Sequence, residues 1–233
     1  MKKKNLEIIV AALLLLLCSS ALFAQAEVSL GTDVVSRYVW RGTDFGQSPS
    51  IQPTLAFSYS GLEIGAWGAY QLGRDAISAP ADELDLYLGY SLELGSASLD
   101  LIVTDYYFPN SGIKFGNYED GTGAHIIEVG GTVSLSALYL SAFVNVYNDT
   151  DNSSYFEVGY STSVQAVDLT VFAGATPGGT NMYYGTTDFN LVNIGVTASK
   201  EIKITEDFSL PIFGSYILNP NQEITHFVFG ISL

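Results

Sequence analysis

The dominant hydrophobic period along the chain is two. In the stretch 82–94, Leu84, Leu86, Leu88, Tyr90, Leu92 and Leu94 alternate with Asp85, Gly89, Ser91 and Glu93, Tyr87 being the exception. Alternation of this kind marks a strand with one face in an apolar medium. A helix would scatter Leu84, Leu86 and Leu88 over different faces. Residues 28–41 repeat the pattern, with Val28, Leu30, Val34, Tyr38 and Trp40 opposite Ser29, Gly31, Asp33, Arg37 and Arg41. So do 53–60, 62–73, 98–108, 123–134, 138–148, 155–165, 167–176, 189–204, 208–218 and 223–233. The count is twelve strands, most of about ten residues, the length a tilted strand needs to cross a bilayer.

The connections alternate in length. Longer ones fall near 42–50, 74–82, 109–121, 149–154, 177–187 and 219–222, and shorter ones near 60–61, 95–97, 135–137, 165–166 and 205–207. Long outer loops, short periplasmic turns and an even strand count are the pattern of an outer-membrane barrel, with both chain ends on the periplasmic side. A soluble β sandwich also alternates along its strands, but does not call for alternating loop lengths or for glycine and serine opposite the large apolar residues. The fold expected is therefore all-β: a transmembrane, up-and-down antiparallel barrel of about twelve strands over residues 27–233.

The N-terminus changes the picture by fixing a compartment. Lys2, Lys3 and Lys4 precede an apolar run from Ile8 to Leu17, and Ala24-Gln25-Ala26 offers small residues for cleavage. Residues 1–26 read as a cleaved secretory signal peptide, hence Sec export and a Gram-negative outer membrane. Cys18, the chain's one cysteine, falls inside that leader, so no disulfide framework is available to the barrel. The full chain carries 9 Lys and Arg against 24 Asp and Glu, a net charge of −15. Three of the nine leave with the leader. Nucleic acid is excluded as a partner, since phosphate binding needs a basic footprint. The partners expected are outer-membrane lipid and lipopolysaccharide, small polar or cationic solutes, and the barrel-assembly machinery during biogenesis.

Parity then sorts side chains between lipid and lumen. The lumen receives Asp33, Arg37, Arg41, Glu63, Asp85, Glu93, Asp100, Glu128, Glu157 and Asp168, of which Glu93, Asp100 and Asp168 lie beside short turns and suit a solvated rim. Trp67, Tyr87 and Tyr106 also point inward, either to stack on a ligand or to narrow the lumen. The channel-lining candidates are therefore Asp33, Arg37, Arg41, Glu63, Trp67, Asp85, Tyr87, Tyr106, Glu128 and Glu157. Tyr38, Trp40, Tyr59, Tyr70, Tyr90 and Tyr107 are assigned to lipid, those near strand ends to an aromatic girdle. The acid excess predicts a cation preference.

Catalytic chemistry finds little support. An acyl hydrolase needs a serine activated by a histidine, and only His125 and His226 exist, neither with a nucleophile beside it in sequence. For an aspartate–histidine pair, His125 lies nearest Asp120. Asp149, Asp151 and Asn152 have oxygen ligands suited to calcium but not the spacing of a twelve-residue calcium loop. No phosphate-cradling glycine loop or zinc cluster is present, so no cofactor and no enzyme is expected.

Several segments resemble a known family. Ser36-x-Tyr38-x-x-Arg41-Gly42 and Pro49-Ser50-Ile51-Gln52 are similar to the opening signatures of the TorF-like porins, also known as a Gcw-type bacterial family of unknown function. Gly61-x-x-x-Gly65-x-Trp67-Gly68, Glu83-x-Asp85, Tyr106-Tyr107-Phe108-Pro109 and Tyr155-x-Glu157 match its later segments, so the resemblance spans most of the chain after the leader. Thr43-Asp44 departs from the more apolar pair of that pattern. The resemblance implies an outer-membrane barrel and a pore, without naming a solute. Two function classes stay open: a channel for passive diffusion of small polar solutes, and a closed barrel with a structural, adhesion or envelope-assembly role.

Overall fold

A computed structural model of the chain describes residues 26–46, 48–73, 82–179 and 181–233. The leader assigned to residues 1–26 lies almost wholly outside the described residues, as does Arg74. The strands are β1 (Glu27–Val35), β2 (Val39–Trp40), β3 (Thr43–Asp44), β4 (Ser50–Tyr59), β5 (Leu62–Gln71), β6 (Glu83–Leu94) and β7 (Ala97–Tyr107). They continue with β8 (His125–Leu135), β9 (Leu138–Tyr147), β10 (Ser154–Val164), β11 (Val167–Thr176), β12 (Asn190–Lys203), β13 (Ser209–Asn219) and β14 (Ile224–Ser232). Twelve of them close into an antiparallel barrel in chain order, with β1 seated between β14 and β4. Closure leaves no sheet edge, so every wall strand finds hydrogen-bond partners on both sides, which a bilayer demands.

The closing seam is short. Three residues of β1, Asp33 to Val35, pair with Ser232 to Gly230 of β14. The main chains of Thr32 and Leu233 exchange two further hydrogen bonds of 3.0 and 2.9 Å. On its other side β1 pairs with β4 over its whole length, from Glu27↔Ser58 to Val35↔Ser50.

Outward parity holds around the ring. Leu30 is 81% exposed and Phe227 68%, and Leu55, Ile64, Leu88, Val103, Leu140 and Val171 share that outer face. In water so continuous an apolar belt would drive association; in hydrocarbon it is the stable arrangement. Tyr59 and Tyr70 stand exposed near strand ends, where an aromatic girdle belongs.

Inward glycines have a packing reason. Gly65 lies under the ring of Tyr87, Gly130 under Phe143, Gly159 under Tyr139 and Gly195 under Phe172, each on the adjacent strand. A missing Cβ lets each ring lie against the wall instead of standing across the lumen. The polar-or-small parity of the sequence is thus partly a device for accommodating inward aromatics.

The largest departure from the sequence reading is the first strand. It ends at Val35, not Arg41. Ser36 donates its N–H to the carbonyl of Phe229 (2.8 Å), and its Oγ accepts from the N–H of Phe229 (3.0 Å). Wall pairing stops there. Residues 37–45 turn inside the barrel as a small hairpin, Val39 and Trp40 pairing with Asp44 and Thr43. Its two-residue turn places Arg41 at φ 46° and Gly42 at φ 81°, the double positive φ of a type I′ turn. The alternation at 36–41 was a real strand signal, but it belonged to a second strand pointing elsewhere.

Tyr38 and Trp40 are therefore not lipid-facing. Tyr38 is buried, its ring 5.3 Å from that of Trp67, and Trp40 packs against a buried cluster of Tyr155, Tyr184 and Val192. Tyr107 faces outward as expected but touches protein, bonding the carbonyl of Ile113 and stacking on His125. Ile113 and Phe115, which also packs edge-on against the Tyr107 ring, come from the 108–124 connection, which folds down over the outside of β7 and β8.

The glycine packing yields a stability prediction. A Cβ at Gly130 would lie 2.7 Å from the carbonyl oxygen of Ala142, a backbone atom that cannot swing aside. Gly130→Ala is expected to cost about 1–3 kcal/mol, read by urea unfolding of the refolded protein in lipid vesicles. Unchanged stability would show that the wall has slack at this point.

Candidate functional site

The site begins at the tip of the in-turned hairpin. Gly42 is pressed against the backbone of Val192 on β12, so close that any Cβ would clash with that carbonyl. Its own carbonyl accepts from Nδ2 of Asn219 (3.2 Å), the last residue of β13. At the hairpin's base, Arg37 pairs with Asp44 at 2.8 Å. The hairpin thus spans the lumen near the long-loop end, from β5 and β6 on one side to β12 and β13 on the other.

Arg41 stands at the centre. Its guanidinium donates twice to Glu128, at 2.6 and 3.0 Å, and once to the hydroxyl of Tyr184 at 3.0 Å. It lies 4.3, 4.4 and 4.6 Å from the ring centroids of Trp40, Phe143 and Tyr155. Arginine suits this position because its planar fork matches a carboxylate in two bonds while its faces stack on rings. Tyr184 comes from a single helical turn, Asn181–Tyr184, in the connection after β11. Its ring stacks 5.9 Å from both Trp40 and Tyr155. The central seal is thus built from an N-terminal hairpin, a later loop and the wall.

Around it the inward carboxylates fall into three groups. Glu128 is held by Arg41 and by the Tyr106 hydroxyl at 2.9 Å. Glu157 accepts from Tyr139 (2.8 Å), from Nδ2 of Asn193 (3.0 Å) and from Tyr155. Glu83 and Asp85 lie two residues apart on the lumen face of β6, both buried, and Tyr38 donates to Glu83 at 3.2 Å. Oδ1 of Asp85 has no hydrogen-bond partner.

The residues singled out by parity divide accordingly. Arg41, Glu128 and Tyr106 meet directly, and Trp67, Asp85, Tyr87 and Tyr106 line one cavity with the hairpin. Glu157 sits in its own tyrosine–asparagine cradle. Asp33 lies apart at the closing seam opposite Gln52 and Ser232, and Glu63 near a short turn opposite Ser58 and Gly89. Arg37 does not line the wall, because it belongs to the hairpin. Glu83, Tyr139, Tyr155, Tyr184 and Asn193 were missed as site residues. The same parity puts Glu83, Tyr139, Tyr155 and Asn193 inward. Tyr184 lies in a connection with no periodic signal.

Two cavities flank the hairpin. One of about 360 Å³ runs from Arg41 and Val39 past Glu157 and Asn193 to Tyr139, near the short-turn end of β9. The other, about 250 Å³, is bounded by Tyr38, Trp40, Trp67, Asp85, Tyr87 and Tyr106. A third cavity, on the long-loop side between Trp40, Glu83, Asn145 and Tyr183, measures about 20 Å³.

Outside the lumen, His125 is fully buried beneath the 108–124 connection. Its Nδ1 meets Asp105 at 2.7 Å, and its Nε2 meets the carbonyl of Phe115. The ring stacks 3.7 Å from that of Tyr118, whose hydroxyl donates to Asp105 at 2.7 Å. Asp105, not Asp120, is the partner. With both nitrogens engaged and no exposed surface, His125 has no lone pair for base work in this arrangement. The Asp149 segment forms a tight turn instead of a calcium loop: its carboxylate accepts from Nδ2 of Asn145 (2.8 Å), the N–H of Ser153 (2.8 Å) and the N–H of Asp151 (3.0 Å). Among the described residues no group of three or more His, Cys, Asp and Glu is arranged to hold a metal.

Comparison with known proteins places the chain. The family model described as bacterial protein of unknown function (Gcw_chp) matches residues 22–210. The chain belongs to that family. The Gcw_chp match takes in the whole hairpin, Glu83 and Asp85, Glu128, Glu157 and Tyr184, so the site lies within the family's own segment. Among solved structures the barrel is similar to outer membrane phospholipase A from Escherichia coli, at 9% identity and TM-score 0.37, over 87% of this chain and 86% of that one. It is also similar to the outer membrane protease OmpT from Escherichia coli, at 12% identity and TM-score 0.28, over 89% and 92%. Likeness at that level carries no argument about chemistry. No curated protein matches the sequence.

Two predictions follow from the site geometry. Arg41→Ala strands a buried carboxylate and is expected to cost about 3–5 kcal/mol, whereas Arg41→Ala with Glu128→Ala costs much less than the sum of the single changes. Strict additivity in urea unfolding would mean that the ion pair does not seat the hairpin. At Asp149, burial alone would raise the carboxyl, but hydrogen bonds from Asn145, Ser153 and Asp151 overcome it and hold the carboxyl below its ordinary value. A lowered folded value gives stability that is present above the unfolded carboxylate value of about 3.9 and lost as pH falls through the folded one. Asp149→Asn should flatten that acid limb of the unfolding midpoint; an unchanged limb would assign it to other carboxylates.

Proposed function

We propose that the protein is a porin-like channel of the outer membrane, passing small polar solutes by diffusion with a preference for cations. The observation that carries this reading is the pair of cavities, about 360 and 250 Å³, that persist beside the in-turned hairpin. A barrel serving only as a wall has no need of polar free space along its axis, and an eight-stranded barrel would fill it with side chains. Each cavity has one carboxyl group in its lining, Glu157 in the larger and Asp85 in the smaller, and Arg41 is neutralised by Glu128. Glu157 and the Glu83–Asp85 pair are then the acidic groups nearest the path of a solute, and they favour a cation over an anion. The resemblance of Ser36-x-Tyr38-x-x-Arg41-Gly42 to the opening signature of the TorF-like porins agrees with this reading. Outer-membrane lipid and lipopolysaccharide would cover the apolar belt, and the barrel-assembly machinery would insert it.

One observation favours the rival class, a closed barrel without transport: the long-loop end retains only about 20 Å³ beside Trp40 and Tyr183. The hairpin decides between the two, since it is the obstruction and is held at its tip by Gly42.

Planar-bilayer recording of the refolded protein is the test. Wild-type protein is expected to give a small conductance whose reversal potential in a potassium chloride gradient favours potassium. Gly42→Ala, which forces the hairpin tip off Val192, is expected to raise conductance severalfold. A chloride preference would overturn the cation assignment. Silence from both proteins, each shown to be folded by its heat-shifted gel mobility, would favour the closed barrel.

A further inference from the structure

We propose that the cavity beside Asp85 is a binding site for small organic ammonium ions. The inference rests on the reading of the lumen as solute-accessible and adds a chemical class of solute to it. The cavity of about 250 Å³ is bounded by five aromatic side chains, Tyr38, Trp40, Trp67, Tyr87 and Tyr106, together with the carboxylate of Asp85. Asp85 is only 8% exposed, and its Oδ1 is buried without a hydrogen-bond partner. Among the described residues neither Asp85 nor Glu83 takes part in an ion pair. Of the two hairpin arginines, Arg41 is spent on Glu128 and Arg37 pairs with Asp44. The site therefore sets a buried acid pair, Asp85 with Glu83 beside it and no protein counter-cation, against rings whose π-electrons attract cations.

The chemistry of the wall selects the kind of cation. A sodium or divalent ion gives up water only to several oxygen ligands, and no metal-holding cluster exists among the described residues. An alkylated ammonium is weakly hydrated and apolar at its surface. It loses little on entering an aromatic cavity and gains attraction from ring faces as well as from the carboxylate. Quaternary ammonium ions are recognised by aromatic cages for this reason. A strongly hydrated anion would lose its water here with no cationic side chain in the lining to replace it. Small size follows from the volume.

The molecule carries its own reporter. The chain has two tryptophans, Trp40 and Trp67, and both border this cavity. Titration of the refolded, detergent-held protein with choline chloride, followed by tryptophan fluorescence, is expected to give a saturable change. Sodium chloride at equal ionic strength, and the uncharged isostere 3,3-dimethylbutan-1-ol, should not reproduce it. Asp85→Asn should weaken the response by at least about tenfold, a desolvated cation–carboxylate contribution of 1.4 kcal/mol or more. Asp100→Asn, at the short-turn rim where Asp100 bonds Ser91, should leave it unchanged.

An equal response to sodium chloride or to the neutral isostere would overturn the proposal, and so would full affinity in folded Asp85→Asn. If Asp85→Asn does not fold, the wild-type comparison of choline with its isostere decides alone. Failure here is separable from failure of the channel: conductance without saturable fluorescence removes the site and keeps the pore. Saturable fluorescence without conductance keeps the site and removes the pore.

Discussion

A guanidinium inside a barrel must be neutralised, and the bidentate contact of Arg41 with Glu128 is the interaction on which the interior of this molecule depends. Burying either charge alone would cost several kcal/mol; burying them together, with the Tyr184 and Tyr106 hydroxyls on the remaining positions, satisfies both. The hairpin that carries Arg41 is only two residues per strand and would not persist in isolation. It also holds a non-glycine residue at positive φ. Its place is fixed from outside itself, by Glu128 on β8, by Val192 and Asn219 at the tip, and by Glu83 and Trp67 against Tyr38. Removing the ion pair therefore acts on the position of an element spanning the lumen, and not only on one contact.

The barrel was legible in the sequence because a bilayer imposes one rule on every wall residue. Lipid on one side and water or protein on the other leaves a period of two that twelve segments repeat, and boundaries moved by only a few residues where the structure is described. The hairpin was not legible for the same reason. Ser36 to Arg41 alternates as well, and alternation says that a segment is a strand without saying in which sheet. Tyr38 and Trp40 were thus sent to lipid when their neighbours are Trp67, Tyr106 and Tyr184. The cue that separates the two readings is Arg41-Gly42, a dipeptide suited to a tight turn, placed two residues after Val39.

Candidate residues followed the same division. Glu128, Asp85, Tyr87 and Tyr106 occupy wall positions, and parity alone placed them. Tyr184 completes the seal from a connection, where nothing in a single sequence reports which side chains fold inward. His125 shows the converse. It sits on an outward wall position, yet the 108–124 connection covers it with Phe115 and Tyr118, and its partner Asp105 is cross-strand instead of near in sequence. Outward parity at the long-loop end does not guarantee contact with lipid.

The glycine–aromatic pairs connect the wall to the interior. The inward rings of Tyr87, Tyr139, Phe143 and Phe172 each lie over a glycine of the neighbouring strand, so they occupy the periphery and leave the axis to the hairpin and its flanking cavities. A wall with alanine or valine at those positions would push Tyr87 or Phe172 toward the axis and remove the space that Arg41 and the cavities share. The interior charge distribution then follows from a single fact, that one arginine reaches the centre while several carboxylates surround it. Arg41 cancels Glu128. Glu157 is satisfied by hydroxyls and an amide, which leave its charge in place. Asp85 lies beside Glu83 with no cationic partner, among rings that favour positive charge over negative. The cation preference proposed for this lumen would follow from where that arginine is spent.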